Sequence, residues 1–371
     1  MNKKMKAVVL TQPTKGEDIV ISETPIPEVK PGWVLVKVKA FGMNHSEQIL
    51  REFEIQNSYI QKPIIPGIEC VGEIADSSDS GLKKGQKVAA LMGGMGRSFN
   101  GSYAEYALLP VHHVFPVESK LSWSEMAAIP ETYFTAWGSL IQCLNVTKDD
   151  ILLVRGATCA LGYVAIQIAK AIGCKVIGTT HRESKMKLLE KAGCDEIILD
   201  DGSLRGKIDI DDGSLRGKSN SQKKDIGTKL NSNLSDLQGN PKTTDTHINV
   251  NEMVNKNIVT KALELIGIKT VKDTMSIMKQ GGIVCNTGVL GKVYEWNHFD
   301  PIKDIPNGVC LTGFYSNYPT QRMLQDIFDF MDEHELKPLI GATFEFEKIR
   351  EACMALDSGS INGKIVVKAG E

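Results

Sequence analysis

Ile151-Leu152-Leu153-Val154-Arg155-Gly156-Ala157-Thr158-Cys159-Ala160-Leu161-Gly162 is the stretch on which the reading of the fold turns. Its first four residues form a continuous apolar run, the pattern of a strand covered on both faces. Beyond the turn, Leu161, Val164, Ala165, Ile168 and Ile172 recur at helical spacing, and Gly173 stands where that helix should end. A second β-like run follows, Lys175-Val176-Ile177-Gly178-Thr179-Thr180. Strand, tight turn of small residues, helix and strand make the first βαβ unit of a dinucleotide-binding sheet. The physical use of such a turn is anion binding. The first N–H groups of the helix have no intrahelical acceptor, and the helix dipole adds positive potential at the same end.

The three glycine positions of the phosphate-binding fingerprint fall on Ala157, Cys159 and Gly162. Only Gly162, where helix and strand must pack closely, is glycine; Ala157 is small enough for the turn. Cys159 stands where the backbone has to approach a phosphate, so its side chain is expected to point away. Gly156, Ala157, Thr158, Cys159, Ala160, Leu161 and Gly162 are therefore the candidate phosphate-binding residues, with Gly288 joining them from the end of a later strand. The turn alone is a weak motif, and a packing turn in another α/β sheet would read the same way.

At 371 residues the chain is long enough for two domains. A formal net charge of −2 gives no electrostatic footprint for nucleic acid or an anionic membrane. Met1 to Leu10 has basic residues followed by too short an apolar run for a signal peptide, and reads better as a first strand. No stretch approaches the apolar length of a membrane span. The eight cysteines are scattered with no C-x-x-C pair, which suits a reduced cytoplasmic protein without a disulfide framework or a zinc ribbon.

In chain order, the region to about Pro116 is rich in short strands between Gly- and Pro-marked turns, as expected of a separate irregular β domain. Ser122 with Glu125 three residues later predicts a capping box. Strands are expected at Glu196–Leu199, Ala262–Gly267, Gly282–Gly288 and Val309–Gly313, with a helix over Thr270–Lys279. With the two strands of the first βαβ unit they make a doubly wound parallel sheet. Helices near Met323–His334 and Glu347–Leu356 precede a last strand, Lys364–Val367, expected to return to the first domain. The boundaries implied are 1–125, 126–316 and 317–371. Residues 200–257 break the rhythm: they are polar and contain the tandem copy Asp200–Lys207 and Asp211–Lys218. A disordered surface insertion is expected there, either a tolerated duplication or a tether for a partner.

The chain resembles the medium-chain dehydrogenase/reductase superfamily, on its zinc-free quinone-oxidoreductase (zeta-crystallin-like) branch. The residues carrying the resemblance are Gly42-Met43-Asn44, Pro66-Gly67-Ile68-Glu69, Gly101–Tyr106, Glu131–Trp137, Gly156–Gly162, Gly281-Gly282 and Asn362–Val366. The resemblance implies a GroES-like β domain, a Rossmann domain, an active site in the cleft between them and a homodimer. It also places Asn44 at the nicotinamide pocket and Thr135 against the cofactor. Asn44 could equally cap a turn, and Thr135 could be an ordinary helical hydroxyl. Met43, Tyr59 and Trp296 are candidates for apolar walls or for core.

Zinc-dependent relatives have Cys where this chain has Met43 and His where it has Ile68, and no Cys occurs between Leu91 and Glu105. A thioether and an alkyl group do not make a zinc site, and His45 reads as a surface side chain; no metal is expected. Hydride transfer without a Lewis acid suits acceptors that delocalise negative charge, such as quinones and conjugated enones. The second strand ends without the acidic residue that holds a ribose hydroxyl pair. Thr179, Thr180, Arg182 and Lys185 stand there instead, which suits the 2′-phosphate of NADPH. The expected activity is NADPH-dependent reduction of a quinone or related conjugated carbonyl. An alkenal or enone reductase and a catalytically silent NADPH-binding protein are the alternatives.

Overall fold

The structure, a computed structural model, describes residues 3–204 and 258–370. The core of the expected insertion, 205–257, with the second copy of the repeat, lies outside them. β1 (Lys4–Val8) and β2 (Ile21–Pro25) form an antiparallel ribbon. β3 (Trp33–Met43) runs into α1 (His45–Glu52), and β4 (Glu69–Asp76), β5 (Lys87–Leu91), β6 (Tyr106–Pro110) and β7 (Val114–Pro116) follow. α2 (Trp123–Ala127) carries the expected capping box: Ser122 Oγ accepts the Glu125 N–H, and the Glu125 carboxylate accepts the Ser122 N–H. Pro130 then opens α3 (Pro130–Trp137) at its first position, where a missing N–H costs nothing.

The second sheet holds β8 (Ile151–Arg155), β9 (Lys175–Thr180), β10 (Glu196–Leu199), β11 (Val259–Glu264), β12 (Met278–Asn286) and β13 (Cys310–Gly313). α4 (Ala160–Ile172) links β8 to β9, α5 (Met186–Ala192) links β9 to β10, and α6 (Ile268–Ser276) links β11 to β12. Every neighbouring pair is parallel, in the order β10-β9-β8-β11-β12-β13. This is the doubly wound order, reversing direction between β8 and β11. Leu152, Leu153 and Val154 are all buried, as the apolar run requires. α4 lays Val164, Ala165 and Ile168 against the sheet and ends at Gly173, whose φ of 93° is the left-handed cap read from the sequence.

Three elements differ from expectation; the helix expected to run to Lys279 ends at Ser276, and β12 already begins at Met278. The fourth strand was expected over Ala262–Gly267 but stops at Glu264. The Glu264 carboxylate accepts the N–H groups of Ile266 and Gly267, so the chain turns although its apolar pattern continues. The expected disorder from Asp200 onward also needs correcting, because residues 200–204 are built into the fold. Asp200 is 5 % exposed and ion-paired to Arg155, and Leu204 is buried in the core beside Val259 and Ile277. The insertion leaves the third strand as expected, yet its first residues lie against the base of the phosphate turn.

After the helix Gln321–Glu333, the chain returns to the first sheet through β14 (Ile340–Glu345), the helix Ile349–Ser358 and β15 (Lys364–Lys368). β15 pairs antiparallel with β3, setting Ile365 opposite Met43 and Val366 opposite Gly42. That register brings Lys364 to the end of β3, beside Asn44.

Candidate active site

The phosphate turn is braced from below by β9. Gly156, at φ 83°, donates its N–H to Thr179 Oγ1 at 3.0 Å, and Ala157 donates to the Thr179 carbonyl at 3.0 Å. Ala157 is fully buried, and a Cβ on Gly162 would lie 2.5 Å from the Ala157 carbonyl oxygen. Gly162 is therefore the close-packing glycine that the sequence suggested. Thr158, Cys159, Ala160 and Leu161 form the partly exposed lip. Cys159 does not turn its side chain away as expected. It is the N-cap of α4, and its Sγ accepts the Gly162 N–H at 3.3 Å. With no hydroxyl or amide at this position, the thiol takes over the cap.

Thr179 and Thr180 are both buried and spend their hydroxyls on the chain itself: Thr180 Oγ1 accepts the Arg182 N–H at 3.2 Å. The groups left facing outward are Arg182, exposed and 3.1 Å from His181 Nε2, and Lys185, half-buried. Burial and the neighbouring Arg182 charge push the Lys185 ammonium down, with Cys159 opposing. Burial also pushes the Cys159 thiol up, against the N–H groups of Gly162 and Leu161. Gly288 packs its backbone on Leu265, where a Cβ would meet the Leu265 carbonyl oxygen at 2.0 Å. Gly156–Gly162, Thr179, Thr180 and Gly288 thus all lie at the carboxyl ends of the parallel strands.

A second constellation joins the two sheets. Lys364 Nζ is 2.7 Å from Glu69 Oε1 and donates also to Asn44 Oδ1 and, at 2.7 Å, to Thr132 Oγ1. Asn44 Nδ2 donates to Glu69 Oε1 at 2.8 Å, so its amide is committed at both ends. Glu69 Oε2 accepts the Glu131 N–H at 2.8 Å, placing a carboxylate at the positive end of α3. Thr135 donates to Glu131 Oε1 at 2.9 Å. Glu47, fully buried, accepts the N–H groups of Asn44 at 2.7 Å and Ile68 at 3.2 Å. Burial, then repulsion from Glu69, pushes its carboxyl up to about 7. Gly42 makes room for all this: a Cβ there would lie 2.4 Å from Lys364 Cε and 2.6 Å from Glu69 Oε1.

Asn44 and Thr135 therefore belong to one network, and it reaches the Rossmann sheet. Ser139 donates to the Thr135 carbonyl at 2.7 Å and meets Thr287 Oγ1 at 2.9 Å, next to Gly288. His45 pairs with Gln48 on its own helix at 2.9 Å. Met43 is core, Tyr59 is exposed, and Trp296 stacks on Phe299 at 3.9 Å. Lys364, Glu69, Glu131 and Glu47 were given no role in the sequence reading. The available signal was a charge opening an apolar run, as in Lys364-Ile365-Val366-Val367 and Ile68-Glu69-Cys70-Val71.

A family model described as "Alcohol dehydrogenase GroES-like domain" matches residues 30–119, and models described as "Zinc-binding dehydrogenase" match 160–210 and 240–367. The chain belongs to the medium-chain dehydrogenase/reductase superfamily. It is an oxidoreductase of that superfamily, and the family implies a nicotinamide coenzyme. Quinone oxidoreductases from Homo sapiens and Pongo abelii are 27% and 26% identical to it, each over 93% of this chain and 92% of the relative. Among solved structures, AibC superposes with a TM-score of 0.77 at 22% identity, covering 100% of this chain and 97% of that one. The quinone oxidoreductase from Coxiella burnetii superposes with 0.73 at 20%, covering 99% of each. At these identities the superpositions speak for the fold. Among the described residues, no helix is long and apolar enough to cross a membrane.

The nicotinamide coenzyme fits the residues present: Thr158 to Leu161, at the partly exposed start of α4, offer backbone N–H groups that are not bonded to Thr179 or Cys159. A catalytic zinc does not fit. Met43 and Ile68 are buried without a donor suited to zinc, and Glu69 is already neutralised by Lys364.

Proposed function

We propose that this protein is a zinc-independent, NADPH-dependent oxidoreductase that passes hydride to quinones or related conjugated carbonyls. The observation that carries the reading is the donor set beside Asn44: Met43 and Ile68 offer no donor suited to zinc, and the Glu69 carboxylate is paired with the Lys364 ammonium. Without a Lewis acid, the acceptor itself has to spread the charge that arrives with the hydride, as quinones and enones do. The names of the mammalian relatives agree with that class of acceptor.

When bound, the coenzyme supplies the hydride. The chain's own residues bind, orient and shield. The turn Gly156–Gly162 is shaped to hold the pyrophosphate, with the N–H groups of Thr158 to Leu161 left to donate, since those of Gly156, Ala157 and Gly162 bond to Thr179 and Cys159. Arg182 and Lys185, two cations beside the turn, suit a 2′-phosphate. Thr179 and Thr180 hold the turn's shape. Thr135 is tied through its carbonyl and Ser139 to Thr287, just past β12, and Asn44 aligns the Glu69–Lys364 pair. We assign 1–125 with 317–371 to one domain and 126–316 to the other. We place the protein in the cytoplasm as a homodimer joined along β13, the outer strand of the parallel sheet.

The test is coenzyme oxidation with benzoquinone and with a 2-alkenal, in the presence of a chelator. NADPH should be consumed, the quinone should be preferred, and the chelator should have no effect; activity lost to the chelator would overturn the zinc-independent reading. A preference for the 2-alkenal would favour the enone-reductase alternative. Reversing both charges, Arg182→Glu with Lys185→Glu, should weaken NADPH about 10–100-fold, the worth of one charge-assisted hydrogen bond, and leave NADH unchanged.

A further inference from the structure

Cys143 and Cys285 are brought together at the carboxyl end of the parallel sheet. Cys143 closes the π-helical run Gly138–Cys143 that continues α3, a rare geometry often found at functional sites. Gly138 lets this run lie close over the chain leaving β13, since a Cβ there would come within 2.0 Å of Phe314 Cζ. Cys143 Sγ then donates to the Gly313 carbonyl at 3.5 Å. Cys285 reaches the same place along β12, where it is paired with Thr312 and the next residue, Asn286, with Gly313. The two sulfurs lie within hydrogen-bonding reach of one another, and both are free thiols. Cys143 is partly exposed at the edge of the core, whereas Cys285 is buried within it.

We propose that Cys143 and Cys285 are a peroxide-reactive pair, oxidised to a disulfide that locks the π-helical run after α3 onto β12. The chemistry needs neither the coenzyme nor the acceptor proposed above. In the first step the Cys143 sulfur, as the thiolate, attacks one oxygen of hydrogen peroxide. An S–O bond forms, the O–O bond breaks, and the departing hydroxide becomes water with the proton that Cys143 gave up. In the second step the Cys285 sulfur displaces the hydroxyl. The S–S bond forms, the S–O bond breaks, and the Cys285 proton leaves with the hydroxyl as a second water. The two thiols lose two electrons and the peroxide gains them.

The division of roles follows from the surroundings. Burial pushes the Cys285 thiol up, with the Thr287 hydroxyl opposing and Cys143 adding to the rise. Cys285 therefore keeps its proton and is inert by itself, which suits the sulfur that closes the bridge. Cys143 is the sulfur with access to solvent, which suits the one that meets the oxidant. The two elements are already held to each other by side chains: Cys285 Sγ lies 3.3 Å from Thr287 Oγ1, itself 2.9 Å from Ser139 Oγ. Ser139 stands one turn before Cys143 on the same run, so a bridge adds to that tie rather than pulling against it.

The experiment treats the purified full-length protein with a small excess of hydrogen peroxide. Thiols are then counted in denaturant, and unreduced peptides are mapped by mass spectrometry. Wild type should lose two of its eight thiols, show the Cys143 and Cys285 peptides joined, and recover both thiols with a reductant. Cys143→Ser, at a partly exposed position, should leave Cys285 free. Cys310→Ser, which removes an exposed thiol on the neighbouring β13, should leave the loss of two unchanged. Amide hydrogen exchange over Gly138–Cys143 should slow in the oxidised protein, because the bridge suppresses local opening. Eight surviving thiols, a bridge between other cysteines, or Cys143 carried to the sulfinic acid with Cys285 still free would each overturn the pair. Unchanged exchange would overturn the lock. Peptide mapping of the wild type decides the pairing whether or not a variant folds, and none of these outcomes depends on NADPH being consumed.

Discussion

Arg155 and Lys364 are each shut away from water among acidic side chains, one at the end of β8 under the phosphate turn, the other between β3 and α3. Arg155 spreads a planar fork: Nε and one terminal nitrogen bind the two oxygens of Asp200 at 2.8 and 3.1 Å. The other terminal nitrogen reaches Asp273, Thr274 and the Thr270 carbonyl. The result holds Asp200 below its ordinary 3.8, hydrogen bonds and charge from Arg155 overcoming the cost of its burial. Glu264 alongside is raised by burial, but it takes donors from Ile266, Gly267 and Thr274. Lys364 offers a compact charge with three donors and leaves Glu47 and Glu131 raised. A fork that satisfies its carboxylates makes a fixed staple, whereas a point charge outnumbered by carboxylates leaves some of them raised.

The comparison breaks first at Arg155. Arg155→Leu strands buried carboxylates and should cost about 3–5 kcal/mol of stability in urea unfolding. Arg155→Lys should recover less than half of that, since an ammonium cannot reproduce the fork; a loss under 1 kcal/mol for the leucine variant would sink the staple.

The pH dependence of stability should then separate the two clusters by sign. Glu47 is raised from 4.5 to about 7 on folding. Its contribution is therefore fully present below about pH 4.5 and is lost as pH rises through about 7, a change of about 3 kcal/mol. Asp200 is lowered, so its contribution is present above its ordinary 3.8 and is lost as pH falls through its folded value. Urea midpoints of Glu47→Gln should lack the decline on the neutral side and keep the acid-side loss. A variant that parallels wild type from about pH 5 to 8 would show that Glu47 is not the group.

Smaller effects test the turn between them. Gly162→Ala sets a methyl group against the Ala157 carbonyl and should cost about 1–3 kcal/mol, with weaker coenzyme binding by fluorescence titration. Unchanged binding and stability would deny the close packing. Cys159→Ser replaces a weak cap by a preferred one and should raise stability by about 0.5–1 kcal/mol in thermal unfolding. A loss would mean that the thiol is held by packing rather than by its cap.

The Rossmann half was legible because its signals are local: an apolar strand, a small-residue turn, a helical period and Gly173 fall within one short segment. The misplaced end of the fourth strand came from Glu264, which looks like one polar residue in an apolar run until its carboxylate binds the next two N–H groups. The active-site wall was only half legible. Asn44 and Thr135 came from a resemblance, while Lys364, which binds Asn44 and Thr132, lies 320 residues from the first and 232 from the second. No local pattern carries a contact of that span; only β15 lying on β3 creates it. The phosphate turn misled at Cys159, whose side chain was expected to point away and instead caps α4.

One consequence follows from the clasp at Arg155. The same guanidinium grips Asp200, just after β10, and Asp273 on α6, and Asp273 in turn accepts the Ser203 hydroxyl and the Leu204 N–H. Chain length added beyond Leu204 therefore pulls on a knot rather than on the sheet. Such a tie-off lets the following stretch lengthen, shorten or duplicate without disturbing the turn that Arg155 underlies.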